Sequence, residues 1–193
     1  SLILQMMVGL PGEGPGGPLK NAEIIASLKP DGVRIYPVAV IKGTELERMW
    51  RQGKYDPLSL GEAVEICSEL IGFFGDKAIP VIRAGLNPSE GLEGEVPAGV
   101  YHPAFGELCL SRLALKQAEK LLSEKGVAAG GSVVFGVSRG KVSVLIGQHR
   151  QNIKALKDKF GLREIKVREL EKAPSSPKIQ ETGKILIEIL DIY

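Results

Sequence analysis

The sequence is poor in the residues that build covalent and metal frameworks. It has two cysteines, Cys67 and Cys109, and two histidines in 193 residues. Two cysteines cannot make a disulfide framework, and their spacing fits no metal site. No apolar run reaches the ~18 residues of a membrane span. The N-terminus lacks the basic n-region and cleavage site of a signal peptide, so a cytoplasmic location with no membrane partner is expected. HExxH and CxxC patterns are missing. The glycine-rich run Gly12-Glu13-Gly14-Pro15-Gly16-Gly17-Pro18 lacks the Lys-Ser/Thr ending of a phosphate-binding P-loop, and its prolines remove amide donors.

What is present is an ordinary globular composition, 44% hydrophobic and 25% charged, in a length suited to one or two domains. The net charge of +2 hides an asymmetry: residues 1–107 carry 9 basic and 14 acidic side chains, and residues 108–193 carry 16 and 9. Within 139–168 nine basic residues face two acidic ones. Two modules, 1–107 and 108–193, with different partners are expected. The first residue is Ser1 and an apolar run, Leu2 to Val8, begins at once. A domain rarely starts inside a core strand, so an upstream part is expected.

The front alternates strands and helices. The continuous apolar run 2–8 fits a strand buried on both faces. A helix over 19–28 follows, then a turn at Lys29-Pro30-Asp31-Gly32 and a strand over 33–41. Thr44-Glu45-Leu46-Glu47 and Ser59-Leu60-Gly61-Glu62 have the capping-box spacing and open two helices. A third strand spans 78–86. Alternation of this kind implies a parallel sheet with right-handed crossovers, with functional loops after the strands, at 9–18, 41–44 and 86–100. A long helix over 103–125 ends before Ala128-Ala129-Gly130-Gly131. Beyond it the pattern predicts a strand over 132–137, helical pieces near 140–146 and 151–160, and strands near 164–170 and 184–191. The Pro/Ser-rich run 173–177 separates the last two.

At the loops the sequence becomes recognisable. Met7-Val8-Gly9-Leu10-Pro11-Gly12, Arg34-Ile35-Tyr36-Pro37, Val40-Ile41-Lys42-Gly43-Thr44-Glu45-Leu46, Trp50-Arg51-Gln52-Gly53-Lys54-Tyr55, Pro80-Val81-Ile82-Arg83-Ala84-Gly85-Leu86 and Tyr101-His102-Pro103-Ala104-Phe105-Gly106-Glu107-Leu108 occur in that order. Together they resemble the third elongator subunit and its bacterial radical S-adenosylmethionine (SAM) relatives. The resemblance covers residues 2 to about 112. It implies an α/β fold: three parallel β/α units, the fourth to sixth strands of a six-stranded partial TIM-type barrel. In that family the earlier strands carry a three-cysteine motif for a four-iron–four-sulfur cluster and a glycine-rich element for the SAM amino group. Neither is in this sequence, so no cluster is expected on this chain. The family's acetyltransferase domain has no match here.

The resemblance also assigns roles. Gly9, Gly12, Ile41, Lys42 and Gly43 fall where the family holds the cofactor, and Ile41 to Thr44 resembles its adenine-contacting stretch. Ala39 departs from the common Gly-x-Ile-x-Gly pattern. Glycine also serves simply to make tight turns after strands. Arg34 and Tyr36, two apart, share a strand face. A charge among apolar neighbours is costly unless it meets an anion or carboxylate, and Arg83 is in the same position; a structural ion pair is the alternative for both. His102 falls where a loop would lie over the barrel mouth and would contact substrate or relay a proton; the alternative is a residue that starts the next helix. Cys67 and Cys109 read as small buried hydrophobes.

The tail run Val144-Leu145-Ile146-Gly147-Gln148-His149-Arg150-Gln151-Asn152-Ile153-Lys154 resembles the helix–GxxG–helix core of KH domains, within a small α+β module. Arg150 replaces the second glycine. In such a loop Gly147 would let a phosphate approach backbone amides, and Arg139, Lys141, Arg150, Lys154 and Lys157 would add sequence-independent attraction. The expected function is therefore the C-terminal half of an enzyme that cleaves SAM to a 5′-deoxyadenosyl radical, inactive alone. Its expected partners are the missing N-terminal half of the barrel, tRNA or another RNA, and a second copy at the open sheet edge. The alternative is an RNA-binding module on a β/α scaffold.

Overall fold

The computed structural model describes residues 1–87, 91–170 and the backbone of 185–189. The chain divides into two compact units, Ser1–Cys109 and Leu110–Ile192. Among the described residues no helix is long and apolar enough to cross a membrane.

The first unit is α/β. Strands β1 (Ile3–Val8), β2 (Gly32–Pro37) and β4 (Val81–Ala84) form a sheet in the order β1-β2-β4. Both pairings are parallel. Helix α1 (Gly17–Ser27) connects β1 to β2. It begins at Gly17 because Pro18 suits the first turn, where no amide partner is needed. Helices α2 (Glu45–Arg51) and α3 (Leu60–Asp76) connect β2 to β4.

Helix α3 shows how local sequence sets an element. The Ser59 hydroxyl accepts from the Glu62 N–H at 3.3 Å, and the Glu62 carboxylate accepts from the Ser59 N–H at 2.9 Å. Such a cap contributes about 1 kcal/mol. Ala63, Cys67, Leu70, Ile71 and Phe74 then fall on one buried stripe. The helix stops where Ala78 turns to φ 55°, with its N–H on the Gly75 carbonyl at 2.8 Å.

Strand lengths differ from those the sequence predicts. The second strand ends at Pro37 rather than 41. Val38 donates to the Val8 carbonyl, and the chain then leaves the sheet as β3 (Ala39–Val40), antiparallel to β5 (Ala98–Gly99). The short helix α4 (Leu92–Glu95) precedes β5. Gly99 cannot be replaced there without strain: it has φ 82°, and a Cβ would lie 2.8 Å from the Val38 carbonyl oxygen. The third long strand covers 81–84 rather than 78–86, bounded by the positive φ of Ala78 and of Gly85 at 86°.

Helix α5 (Phe105–Glu124) starts in the first unit and ends in the second. The second unit continues with β6 (Ser132–Val137), α6 (Val142–Ile146), a single 3₁₀ turn at 148–150, α7 (Gln151–Phe160), β7 (Glu164–Glu169) and β8 (Ile185–Ile189). Its sheet has the order β7-β6-β8, and both pairings are parallel. Its core gathers Ala114, Ala118 and Leu122 of α5 with Val133, Phe135 and Val137 of β6, Leu145 and Leu156. The Pro/Ser-rich run 173–177 lies outside the described residues.

Candidate functional site

The two faces of the first sheet differ. Met6, Val8, Val33 and Ile35 are buried, on the side where α1 and α3 pack. Alternation along the strands puts Ile3, Gln5, Met7, Arg34 and Tyr36 on the other face. There Ile3 is 38% exposed and Met7 42%. Gln5 and Arg34 are exposed, and Tyr36 is half-buried.

Register orders this open face into rows. Ile3 pairs with Gly32, Gln5 with Arg34, and Met7 with Tyr36. Arg34 pairs with Arg83. The register shifts between Val33 and Arg34, so Ile82 is an extra residue on β4. A bulge of this kind lets two consecutive residues face one way. Ile82 is 52% exposed and lies over Gly32, where a Cβ would meet its methyl at 2.5 Å. Arg83 beside it is exposed too. The face therefore carries an apolar row (Ile3, Ile82), a polar row (Gln5, Arg34, Arg83) and a third row (Met7, Tyr36). The structure brings together Arg34, Tyr36 and Arg83. Gln5 and Met7 were missed, although their alternation with Met6 and Val8 signals the same face.

The loops at the strand ends hold the other candidates. Gly9 has φ 87° and packs under Leu58. Its N–H donates to Glu13 at 2.6 Å, and its carbonyl accepts from the Tyr55 hydroxyl at 2.7 Å. Burial, first, and then Asp56 and Glu13 push the Tyr55 phenol above its ordinary range, so it stays a donor. Gly12 has φ 80° with open space around it. In the second loop the Lys42 ammonium donates to the Gly94 carbonyl at 2.5 Å, and its backbone N–H donates to the Glu95 carbonyl. The Gly43 N–H donates to Glu47 at 2.7 Å, which with Arg51 holds that carboxyl below the ordinary range. Thr44 bonds back to the Ile41 carbonyl. The N–H groups of 42–44 are thus engaged, which leaves half-buried Ile41 and the Cβ-free surface of Gly43. His102 accepts the Ala104 N–H on Nδ1 at 3.1 Å, so its ring caps the start of α5.

The cysteines do not fit an iron–sulfur cluster. Such a cluster takes several thiolates, and the sequence has two cysteines. Both are fully buried. The Cys109 thiol is pushed far up by its hydrogen bond to Cys67 and by burial. Among the described residues no group of three or more His, Cys, Asp or Glu side chains could hold a metal.

In the second unit the turn between α6 and α7 is built from left-handed backbone. Gly147 has φ 75°, His149 48° and Arg150 60°. For residues without glycine's freedom that region costs roughly 1–2 kcal/mol each. Gly147 is fixed by a residue the sequence did not flag. Asn152 is 3% exposed, and its amide donates to the Ser111 carbonyl at 3.0 Å, the Ser111 hydroxyl at 2.9 Å and the Leu145 carbonyl at 3.1 Å. A Cβ on Gly147 would lie 2.9 Å from the Asn152 side chain. A polar residue predicted on an apolar helix face was the available signal. His149, Arg150, Ile153, Lys154, Lys157 and Asp158 line a hollow of about 260 Å³. Lys157 is tied to the Arg163 carbonyl at 3.0 Å. Arg139, Arg150 and Lys154 are exposed, with no carboxylate partner among the described residues. Lys141, half-buried, stands at the start of α6.

Comparison with known proteins bears on the first unit. Residues 30–115 match the family model described as the radical SAM C-terminal domain. The chain is 44% identical over 66 residues to the tRNA uridine(34) acetyltransferase of Methanocaldococcus jannaschii, covering 33% of this chain and 12% of that protein. It is 30% identical over 87 residues to human Elongator complex protein 3, covering 45% and 15%. It is 29% identical over 66 residues to protein YhcC of Escherichia coli K12, covering 34% and 21%. The match thus spans no more than 21% of any of these three relatives. Over residues 30–115 the chain is therefore similar to a radical SAM C-terminal domain, and it resembles, at low to moderate identity, parts of a tRNA uridine(34) acetyltransferase and of Elongator complex protein 3.

Proposed function

We propose that the first unit is half of the reaction chamber of a SAM-cleaving enzyme, with its open sheet face lining that chamber. The observation that carries this reading is the difference between the two faces of β1-β2-β4, within a unit that holds most of the stretch similar to the radical SAM C-terminal domain. A parallel sheet is normally covered on both faces; this one exposes Gln5, Arg34 and Arg83 on one. In the whole enzyme a reduced cluster would supply the single electron that cleavage of SAM needs. The cluster thiolates would come from the N-terminal half of the barrel, which would also cover the free edge of β1 in place of a second copy of the chain. Ile41 and Gly43 would flank the adenine by apolar contact. Gly9, held on both sides by Glu13 and Tyr55, would fix the mouth of β1, and Gly12 would let the following loop turn. Lys42 would hold α4 over the loop, and His102 would set the start of α5. Arg34, Tyr36 and Arg83 would face the substrate.

The test is anaerobic reconstitution of a longer protein that includes the cysteine-bearing half, with iron, sulfide and a reductant. The expected product from SAM is 5′-deoxyadenosine. A cluster-loaded protein that makes none overturns the reading.

A second reading concerns the second unit. The names of the chain's relatives point to tRNA, and the KH-like turn carries strained Arg150 at the start of α7 beside Lys154 and Lys157. This turn, with Gly147, Arg139 and Lys141, would hold RNA backbone. Binding of a single-stranded RNA to the whole chain should weaken steeply with salt, and Arg150→Gln with Lys154→Gln should flatten that slope by about two. An unchanged slope excludes this contact.

A further inference from the structure

We infer that the open face of the first sheet holds a phosphate group between Arg34 and Arg83, with Gln5 beside them, and that the group belongs to a nucleotide. This rests on reading that face as the substrate side of the chamber. Arg34 and Arg83 are register partners on neighbouring parallel strands, and Gln5 is the partner of Arg34 on the other side. Adjacent strands lie about 4.8 Å apart, so the two guanidiniums spring from backbone one strand spacing apart. Like charges placed directly opposite each other repel. Nothing among the described residues offsets this: neither arginine has a carboxylate or hydrogen-bond partner there. The pair is poorly placed for stability and well placed for an anion.

The choice of anion follows from counting acceptors. A carboxylate's two oxygens offer about four acceptor sites, which two guanidinium forks fill, leaving none for the Gln5 amide. A phosphate presents more oxygens, enough for both forks and for the Gln5 amide. The neighbouring rows then describe the rest of the ligand. Toward the strand ends, about 6.6 Å on, come Met7 and Tyr36, a thioether and an aromatic ring that suit a stacked base. In the other direction Ile3 and Ile82 make an apolar row over Gly32. The bulge at Val33/Arg34 is what turns both Ile82 and Arg83 onto this face. Without it only one of them would lie there.

The test is calorimetric titration of the whole chain at low salt with uridine monophosphate, inorganic phosphate, uridine, succinate and a short single-stranded oligouridylate. Uridine monophosphate should bind more tightly than phosphate or uridine, and succinate should compete poorly. Arg34→Gln and Arg83→Gln should each lower the affinity for the monophosphate about tenfold or more, the range for a lost charge-assisted hydrogen bond. Arg34→Lys should fall between, because it keeps the charge and loses the fork. Lys20→Gln, the same charge loss on exposed α1, should leave the affinity within about twofold. Circular dichroism of each variant checks that the fold is kept; the arginines are exposed, so it should be. If the oligomer loses affinity on Arg34→Gln as the monophosphate does, the nucleotide comes from a strand. If only the monophosphate does, it is free. Wild-type affinity in Arg34→Gln and Arg83→Gln, or equal competition by succinate, overturns the inference. These measurements need no cluster, and the reconstitution above needs no phosphate, so either idea can fail alone.

Discussion

Two strands, β2 and β6, occupy the same position, each at the centre of a three-stranded parallel sheet. β6 is Ser-Val-Val-Phe-Gly-Val, with five of its six residues buried and Val134 half-buried. β2 is Gly-Val-Arg-Ile-Tyr-Pro, with Arg34 exposed and Tyr36 half-buried between buried neighbours. β6 follows the usual rule for a parallel strand, apolar on both faces. β2 obeys it on one face only. One strand serves the core alone, and the other serves the core on one side and keeps a surface available on the other.

The largest effect should come from deleting the same atoms on each face of the first sheet in turn. Ile35→Ala, in a fully buried position, should cost about 2–5 kcal/mol. Ile82→Ala, half exposed, should cost about 0.5 kcal/mol or less. Urea denaturation of both variants checks this. Equal losses would mean that the open face is covered.

Two glycines with the same φ of 75° extend the contrast to the two units. Gly43→Ala has open space and should cost only the backbone strain, about 1 kcal/mol. Gly147, at ψ 164°, has a conformation open essentially to glycine alone, and Gly147→Ala adds a collision with buried Asn152; it should cost about 3 kcal/mol or more. Thermal melts of the two variants would rank them.

A smaller effect concerns acid. Glu47 is held below the ordinary carboxylate range by the Gly43 N–H, then by Arg51. Its contribution is therefore complete above the ordinary value of 4.5 and fades as pH falls through the lowered value. Melts from pH 7 to pH 3 should decline less steeply at the acid end for Glu47→Gln than for the parent. The smallest effect is on the polar row. Arg34→Gln should leave stability unchanged or raise it by about 0.5 kcal/mol, because it relieves repulsion from Arg83. A clear loss would reveal an ion pair.

Much of the first unit was legible in the sequence. Apolar runs marked β1 and β2, and the Ser59/Glu62 box placed α3. The strand-end motifs, read in order, pointed to the family that the comparisons support for residues 30–115. Arg34 and Arg83 were singled out because charges among apolar neighbours need a reason. Their pairing was not legible, because register depends on the extra residue Ile82, and a bulge has no local signature in Pro-Val-Ile-Arg. The departure of the chain at Val38 was hidden for a similar reason. The pairing of Ala39 and Val40 needs Ala98 and Gly99, which lie far along the chain. Gln5 was passed over because a neutral residue in an apolar run raises no question until its neighbours are known. In the tail, charge drew attention to Arg150 and Lys154, while the residue that shapes their turn, Asn152, is neutral and hidden.

That last residue has a consequence for descent. Gly147 leaves room for Asn152, and Asn152 in turn reaches Ser111. A change at any one of the three strands the other two. Lineages that lose Asn152 should find Gly147 free to drift only as far as its positive φ permits, and Ser111 free to become alanine. Across relatives the three positions should therefore be inherited as one character, whether or not the loop they hold still touches anything.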